Sequence, residues 1–394
     1  MACEVVIVSA VRTAIGNFQG GLASFSATEL GALVIEEAIR RAGIEKERVD
    51  EVIMGNVVPT GLGQNPGRQA MIKAGLPMTG GAITVNKVCG SGLKTVMLAE
   101  QAIKAGDAEI IAAGGMESMS SIPYYAPGAR SGMRMGNGLL VDTMVHDGLW
   151  DVVNDYHMGY TAELVSKKFS VDRETMDAYS VKSNEKALAA IEKGWFKDEI
   201  MPVRITPRKG EPYDFMVDEG PRAASMEALA KLRPAFDRNG LVTAGNASKI
   251  SDGASCCLVM SADKAAELGL KPLARIVAQG AAGVELEDVL VAPINSIPKV
   301  LKKAGLKLAE IDLHEINEAF ATSSVAIVKE LGIDPEKVNV HGGAVALGHP
   351  IGCSGTRVLT TLIYALQRLG KRYGMASLCL GGGEAVSMVI ENLQ

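Results

Sequence analysis

The chain has 394 residues, 47% of them hydrophobic and only 22% charged, which suits a large buried core spread over roughly two to three domains and excludes a mainly disordered chain. Forty basic against forty-five acidic residues leave a formal net charge of −5, so no basic field exists to hold nucleic acid or an anionic membrane. The longest apolar runs, such as Val5 to Val8 and Ile110 to Ala113, are strand-sized and far short of the ~18 residues of a membrane span, and no signal or transit pattern opens the chain; a cytoplasmic protein is expected.

In chain order, the strand candidate at Val5 to Val8 is followed by an amphipathic helix, Leu30 to Ala42, stopped by Gly43, and by a strand candidate at Asp50 to Ile53. Ser91-Gly92 opens a second helix, Leu93 to Ala105, which leads to an apolar strand and Gly114-Gly115. Late in the chain the pattern returns. A helix over Ile297 to Ala304 stops at Gly305 before Asp312 to Glu315, and Ser354-Gly355 opens Thr356 to Leu369, followed by an apolar strand and Gly381-Gly382-Gly383. Gly43 and Gly305 are 262 positions apart, Ser91 and Ser354 are 263 apart, and two matches at nearly one offset point to a duplicated α/β unit. Strands alternating with helical stretches predict a mostly parallel sheet in each half, and two packed halves give alternating helix and sheet layers.

Between the halves, residues 119 to 249 hold both tryptophans and six of the eight tyrosines, which marks an insert with its own small core or a cover over a site. Its segments Pro202 to Pro212 and Gly220-Pro221 read as loops.

Chemistry concentrates in four clusters. Asn86-Lys87-Val88-Cys89-Gly90-Ser91-Gly92 sets Cys89 at a glycine-rich helix entry, where free N–H groups and the positive dipole end favour a thiolate and can hold an oxyanion; an inert buried cysteine is the alternative. In the glycine-rich run His341 to Gly355, His349 is a candidate base or a structural histidine, and the repeat brings its loop to face the Cys89 loop. Cys379 stands at a strand end before three glycines, where α/β folds place reacting groups. Asn317 lies at the polar strand-to-helix junction His314 to Phe320, able to hold a water or an oxyanion or simply to cap a helix. Cys256, Cys257 and Cys353 read as packing. With Cys3 the six cysteines form no Cys-x-x-Cys pair, so reduced thiols and no metal site are expected. Two thiols, an imidazole and an amide suit carbon or acyl transfer, and neither a dinucleotide nor a phosphate-binding glycine motif is present.

At these residues the sequence resembles the thiolase family along essentially the whole chain, on Ser9-Ala10-Val11-Arg12-Thr13, Asn86 to Gly92, Asn317 to Ala321, Gly342 to Gly355 and Cys379 to Gly383. The resemblance implies a thiolase fold: an N-terminal half over 1–118 and 250–270, an inserted loop domain over 119–249 and a C-terminal half over 271–394. It implies reversible Claisen condensation of two acetyl-CoA to acetoacetyl-CoA and CoA, with Cys89 acylated, His349 activating it, and Cys379 moving the substrate α-proton. Asn317 would orient a water that joins His349 in binding the thioester oxygen, and the N–H groups of Cys89 and Gly381 would form a second oxyanion hole. His157, Met158, Arg222, Ser248 and Phe320 would line the coenzyme A path. No cofactor is implied beyond coenzyme A as substrate and product. A homotetramer is implied, with Gly132 to Leu140 in its tetramerising hairpin. The resemblance has departures: Gly90 stands where alanine or serine is commoner, and Lys249 and Glu384 place charge near the site. The rival activities are a broader 3-ketoacyl-CoA thiolase of fatty acid β-oxidation, a decarboxylating condensing enzyme, and a non-catalytic acyl-CoA carrier.

Overall fold

The computed structural model describes residues 3–207 and 209–394. The strands that matter to the site are β1 (Val5–Thr13), β2 (Glu51–Gly55), β3 (Gly81–Val85), β4 (Ile110–Ser118), β5 (Ser251–Ser261), β6 (Ala274–Gly283), β7 (Leu313–Ile316), β8 (Tyr373–Leu380) and β9 (Glu384–Asn392). The longer helices are α1 (Ala27–Ala42), α2 (Pro66–Lys73), α3 (Ser91–Ala105), α4 (Met158–Phe169), α5 (Arg173–Glu192), α6 (Pro293–Ala304), α7 (Ala321–Leu331) and α8 (Ser354–Leu369).

The helices form where apolar faces and caps agree. Ser26 and Glu29 close a capping box on α1, and Gly43 ends it in the left-handed conformation at φ 69°. The box sets the start of α1 at Ala27, ahead of the apolar stretch that begins at Leu30. Helix α6 likewise starts at Pro293, with Pro298 inside it.

The strand order β7-β8-β9-β6-β1-β5-β4-β2-β3 reads as two copies of one pattern meeting at β6 and β1. At the join Val6 pairs with Arg275 and Ile7 with Ala274, while the bridge from His314 to Val338 stands where the copy of β3 belongs. The duplication is therefore structural. The mostly parallel expectation is corrected. β2 runs parallel to β3 and β4, and β7 to β8, but β1–β5, β4–β5, β8–β9 and β6–β9 are antiparallel. The helical crossovers hold only the parallel pairs; β9 follows β8 through the tight turn Gly381–Gly383, and β5 enters after the long insert, so both return in the opposite sense.

Helix α1 covers one sheet face through Leu30, Val34 and Ile35 against Val11 and Met116. Helices α3 and α8 fill the layer between the sheet halves, packing Leu93, Val96 and Met97 with Val358, Leu359 and Leu362. Ile297 and Val300 of α6 and Ile327 of α7 cover the far face. At the centre the starts of α3 and α8 touch backbone to backbone. A Cβ on Gly92 would lie 2.6 Å from Thr356 Oγ1, and one on Gly355 would lie 2.2 Å from Leu93 N. The repeated Ser-Gly is thus a packing demand, and it brings the loops ahead of both helices together.

In the insert, Pro202 to Pro212 is less loop-like than expected: Val203–Ile205 pairs antiparallel with Tyr213–Phe215, because Val203 and Ile205 alternate with polar residues and bury. No helix among the described residues is long and apolar enough to cross a membrane.

Candidate active site

The Cys89 turn is held by short polar bonds. Val88, a β-branched residue, sits at φ 45°, a strained conformation that persists only where surroundings fix it. They do so here. Asn86 Oδ1 accepts the Val88 N–H at 3.0 Å, Ser91 Oγ accepts the Lys87 N–H at 2.8 Å, and the Ser91 hydroxyl donates to the Val88 carbonyl at 2.7 Å. Cys89 is thereby presented just before α3. The helix entry does not make it a resting thiolate. Burial outweighs the Gly381 N–H and its own N–H, and the thiol is pushed up to about 11.

His349 is buried, with its N–H donating to the Lys249 carbonyl at 3.0 Å. Its Nδ1 lies 2.5 Å from Ser354 Oγ, whose hydrogen goes to the Pro350 carbonyl at 2.9 Å. Nδ1 is therefore assigned as the donor, which leaves the Nε2 lone pair free to accept. Burial, with the Arg357 charge behind it, pushes His349 down to about 3, so it rests as the neutral base. Asn317 Nδ2 lies 3.4 Å from His349 Nε2. Asn317 follows β7 rather than capping a helix, since α7 begins at Ala321. Its N–H donates to the Ser377 carbonyl at 3.0 Å, while its buried Oδ1 has no partner among the described residues.

Cys379 is the second-to-last residue of β8, 3% exposed, with its thiol pushed far up by burial first and Cys89 second. The turn after it carries Gly382 at φ 88° and Gly383 at φ 78°, conformations that favour glycine.

These groups converge. Cys89, His349, Cys379 and Gly381 line one cavity of about 60 Å³, walled by Met158, Phe320, Leu149, Leu290 and Ile351. An outer cleft of about 570 Å³, lined by His157, Arg222, Phe236, Ser248, Phe320 and His349 among others, shares His157, Ser248, Phe320 and His349 with the inner cavity. Of the ten expected residues, only Asn317 lies behind the cavity walls, against His349. His157 Nδ1 caps α4 by accepting the Gly159 N–H at 2.9 Å, and its ring stacks on Phe236 at 4.7 Å. The rim bearing Arg222 is pinned by Asp218, whose carboxylate takes Arg12 Nη1 at 2.7 Å and Nη2 at 2.9 Å in the core.

The departures have structural reasons. A Cβ on Gly90 would stand 2.2 Å from Leu380 Cδ2, so here a leucine fills the room an alanine or serine would take. Lys249 donates to the carbonyls of Gly220 and Ala346, the latter at 2.8 Å, and ties the cleft rim to the His349 loop. Burial, then Arg222, pushes it down to about 8. Glu384 pairs with Lys87, clamping the Cys379 turn to the Cys89 turn. Sequence reading missed Ser354, which sets the His349 tautomer. It also gave no role to Glu318, whose carboxylate accepts from Tyr179, Ser183, Asn339 and the Val345 N–H, joining α5 to this junction.

The thiolase N-terminal domain model matches residues 5–263 and the thiolase C-terminal domain model residues 270–392; the chain belongs to the thiolase family. It is 54% identical over 388 residues to the acetyl-CoA acetyltransferase of Pseudomonas aeruginosa, covering 98% of this chain and 99% of the relative. It is 55% identical over 390 residues to the acetyl-CoA acetyltransferase of Escherichia coli, with the same coverage. The crystal structure of the Bacillus anthracis acetyl-CoA acetyltransferase superposes with a TM-score of 0.97 at 44% identity, over 100% of this chain and 99% of that one.

Proposed function

We propose that this protein is an acetyl-CoA C-acetyltransferase, joining two acetyl-CoA into acetoacetyl-CoA and CoA and running the reverse thiolysis, with the acetyl group carried on Cys89. One observation carries the reading: two thiols and a neutral imidazole from three separate segments of the chain line a single small cavity that opens into a larger cleft. The names of the relatives support the same activity over a broader 3-ketoacyl-CoA thiolase.

In this reading, Cys89 Sγ attacks the acetyl carbonyl while His349 Nε2 takes the thiol proton and passes it to the departing CoA sulfur. The C–S bond to CoA breaks as the C–S bond to Cys89 forms. When a second acetyl-CoA enters, His349 takes the Cys379 proton, and the Cys379 thiolate removes the substrate α-proton. The carbanion attacks the acetyl carbonyl on Cys89, and the expelled Cys89 thiolate recovers its proton from His349. Asn317 with His349, and the N–H groups of Cys89 and Gly381, are assigned to the two oxyanions. Coenzyme A is assigned to the outer cleft and no further cofactor is needed.

The same reading divides the chain into halves over 1–118 with 250–270 and over 271–394, and a coenzyme-binding loop domain over 119–249. It makes the protein a cytoplasmic homotetramer. Met133, Met135, Leu139 and Leu140, all more than half exposed, support the segment near 132–140 as a subunit contact.

The test is steady-state thiolysis along a series of 3-ketoacyl-CoA lengths. Acetoacetyl-CoA should be cleaved with a kcat/KM at least ~10-fold above that of a sixteen-carbon substrate, since overpacking a filled site costs ~1–3 kcal/mol and Met158 and Phe320 leave little room. Equal values would make it a broad-range thiolase, and binding without cleavage would make it a carrier. In the cleft, alanine at Arg222, Ser248 or His157 should raise KM several-fold with kcat largely kept, the mark of uniform binding lost. A collapse of kcat at constant KM would move that residue among the reacting groups.

A further inference from the structure

Behind the Cys89 and His349 loops lies a carboxylate that sequence reading passed over. Glu117, near the end of β4, is fully buried and accepts four N–H bonds: Asn56 Nδ2 at 2.7 Å, Val57 N at 2.9 Å, Val58 N at 3.3 Å and Gly352 N at 2.9 Å. The first three belong to the loop after β2, and the fourth lies three residues beyond His349. The bonds continue on the other side. Asn86 Nδ2 donates to the Val57 carbonyl at 3.1 Å, and Asn86 Oδ1 accepts the N–H of Val88, the neighbour of Cys89. One chain of hydrogen bonds thus runs from the His349 loop through a single carboxylate to the Cys89 turn.

The backbone is cut to fit this joint. A Cβ on Gly352 would stand 2.7 Å from Glu117 Oε2, and one on Gly115 would stand 2.0 Å from the Gly352 carbonyl. All four partners are donors, so a protonated carboxyl would set its O–H against an N–H. The pattern selects the carboxylate, although burial raises Glu117 to about 7.

We propose that Glu117 is a positioning residue, whose carboxylate joins the two loops and fixes the spacing of Cys89 and His349. The inference rests on the acyl-cysteine reading above. It has a second consequence: after burial, the Glu117 charge is among the influences that hold Cys89 as a thiol, so removing that charge should make the thiol more acidic.

Two variants separate these effects. Glu117→Gln keeps the shape but turns an NH2 toward N–H donors, whereas Glu117→Asp keeps the charge on a shorter arm. Acetylation of Cys89 by labelled acetyl-CoA is followed by rapid quench, and iodoacetamide alkylation of Cys89 at pH 8 is mapped by mass spectrometry. In Glu117→Gln acetylation should slow ~100-fold, the scale of a misplacement near 1 Å, with KM for acetyl-CoA little changed. Alkylation should quicken about threefold, allowing for the weaker intrinsic nucleophilicity of a more acidic thiol. Glu117→Asp should acetylate slowly but alkylate at the wild-type rate. A merely structural glutamate would lower thermal stability without quickening alkylation. Acetylation at the wild-type rate in both variants overturns the proposal. If Glu117→Gln fails to fold, Glu117→Asp decides by its acetylation rate alone. A wild-type protein that takes up no acetyl label overturns the acyl-cysteine reading instead, and the alkylation rates still report on Glu117.

Discussion

Cys89→Ala should take up no acetyl label from acetyl-CoA and should lose at least ~10⁴-fold in turnover, the scale seen when a nucleophile is deleted from a set that acts as a unit. The size of the effect follows from the surroundings. The Gly381 N–H is among the groups that favour a charged Cys89, and Cys89 stands directly before a helix start, so a developing thiolate or oxyanion there meets fixed donors. Cys353 is the residue just before α8, 1% exposed, and Cys256 and Cys257 are sealed inside β5. None of these three lines the inner cavity. Digestion and mass mapping of the wild-type adduct checks the assignment, and label recovered on Cys379 or Cys353 would overturn it. Affinity for CoA should persist in Cys89→Ala, because the outer cleft is built from other residues.

The parts of this site that could be read from the sequence are those written into the local chain. Glycine runs around Cys89, His349 and Cys379 announce close backbone approach, and the repeated Ser-Gly announces a duplicated helix start. What the repeat did not reveal is its use. Ser91 locks the turn that presents Cys89, and Ser354, its counterpart, locks the ring of His349, so one repeated serine position holds two different side chains assigned to the reaction. Glu117 was invisible for a different reason. Three of its four partners are backbone N–H groups, which carry no residue signature, and they lie about sixty positions before it and more than two hundred after it in the chain. Lys249 and Glu384 looked like charges in the site because sequence shows proximity along the chain but not direction. One turns to backbone carbonyls and the other to Lys87. The sheet misreading has the same root, since alternation of strand and helix says nothing about how a strand re-enters after a tight turn or a long insert.

Burial also settles a competition that sequence could not weigh. The helix entry favours a thiolate at Cys89, yet desolvation pushes Cys89 up to about 11, Cys379 further up and His349 down to about 3. All three rest uncharged, so the pair is not a preformed thiolate–imidazolium ion pair. In the proposed reaction charge would appear only when substrate brings an acceptor, with the assigned donors of Gly381 and Asn317 there to receive it. Such an arrangement stabilises the transition state more than the resting state, which is the condition for a faster chemical step.

That ordering makes the two thiols separable. Cys379→Ala should still be acetylated on Cys89, because acylation needs only Cys89, His349 and the oxyanion donors, all of which it keeps. It should fail at condensation and thiolysis, with overall turnover down ~10³-fold, within the range for loss of a positioned acid–base group. Truncation at a site of 3% exposure leaves a small gap between β8 and the cavity without touching the His349–Ser354 bond, so folding should survive. Exchange of the acetyl methyl protons of acetyl-CoA with deuterated water, followed by NMR, should stop in the variant, since that exchange reports α-proton transfer without carbon–carbon bond formation. Because the two cysteines act in successive steps of one cycle, Cys89→Ala with Cys379→Ala should be little worse than the poorer single variant. Near-normal turnover in Cys379→Ala would mean that another group moves the α-proton, and the Nε2 lone pair of His349, already facing Asn317, would be the next to test.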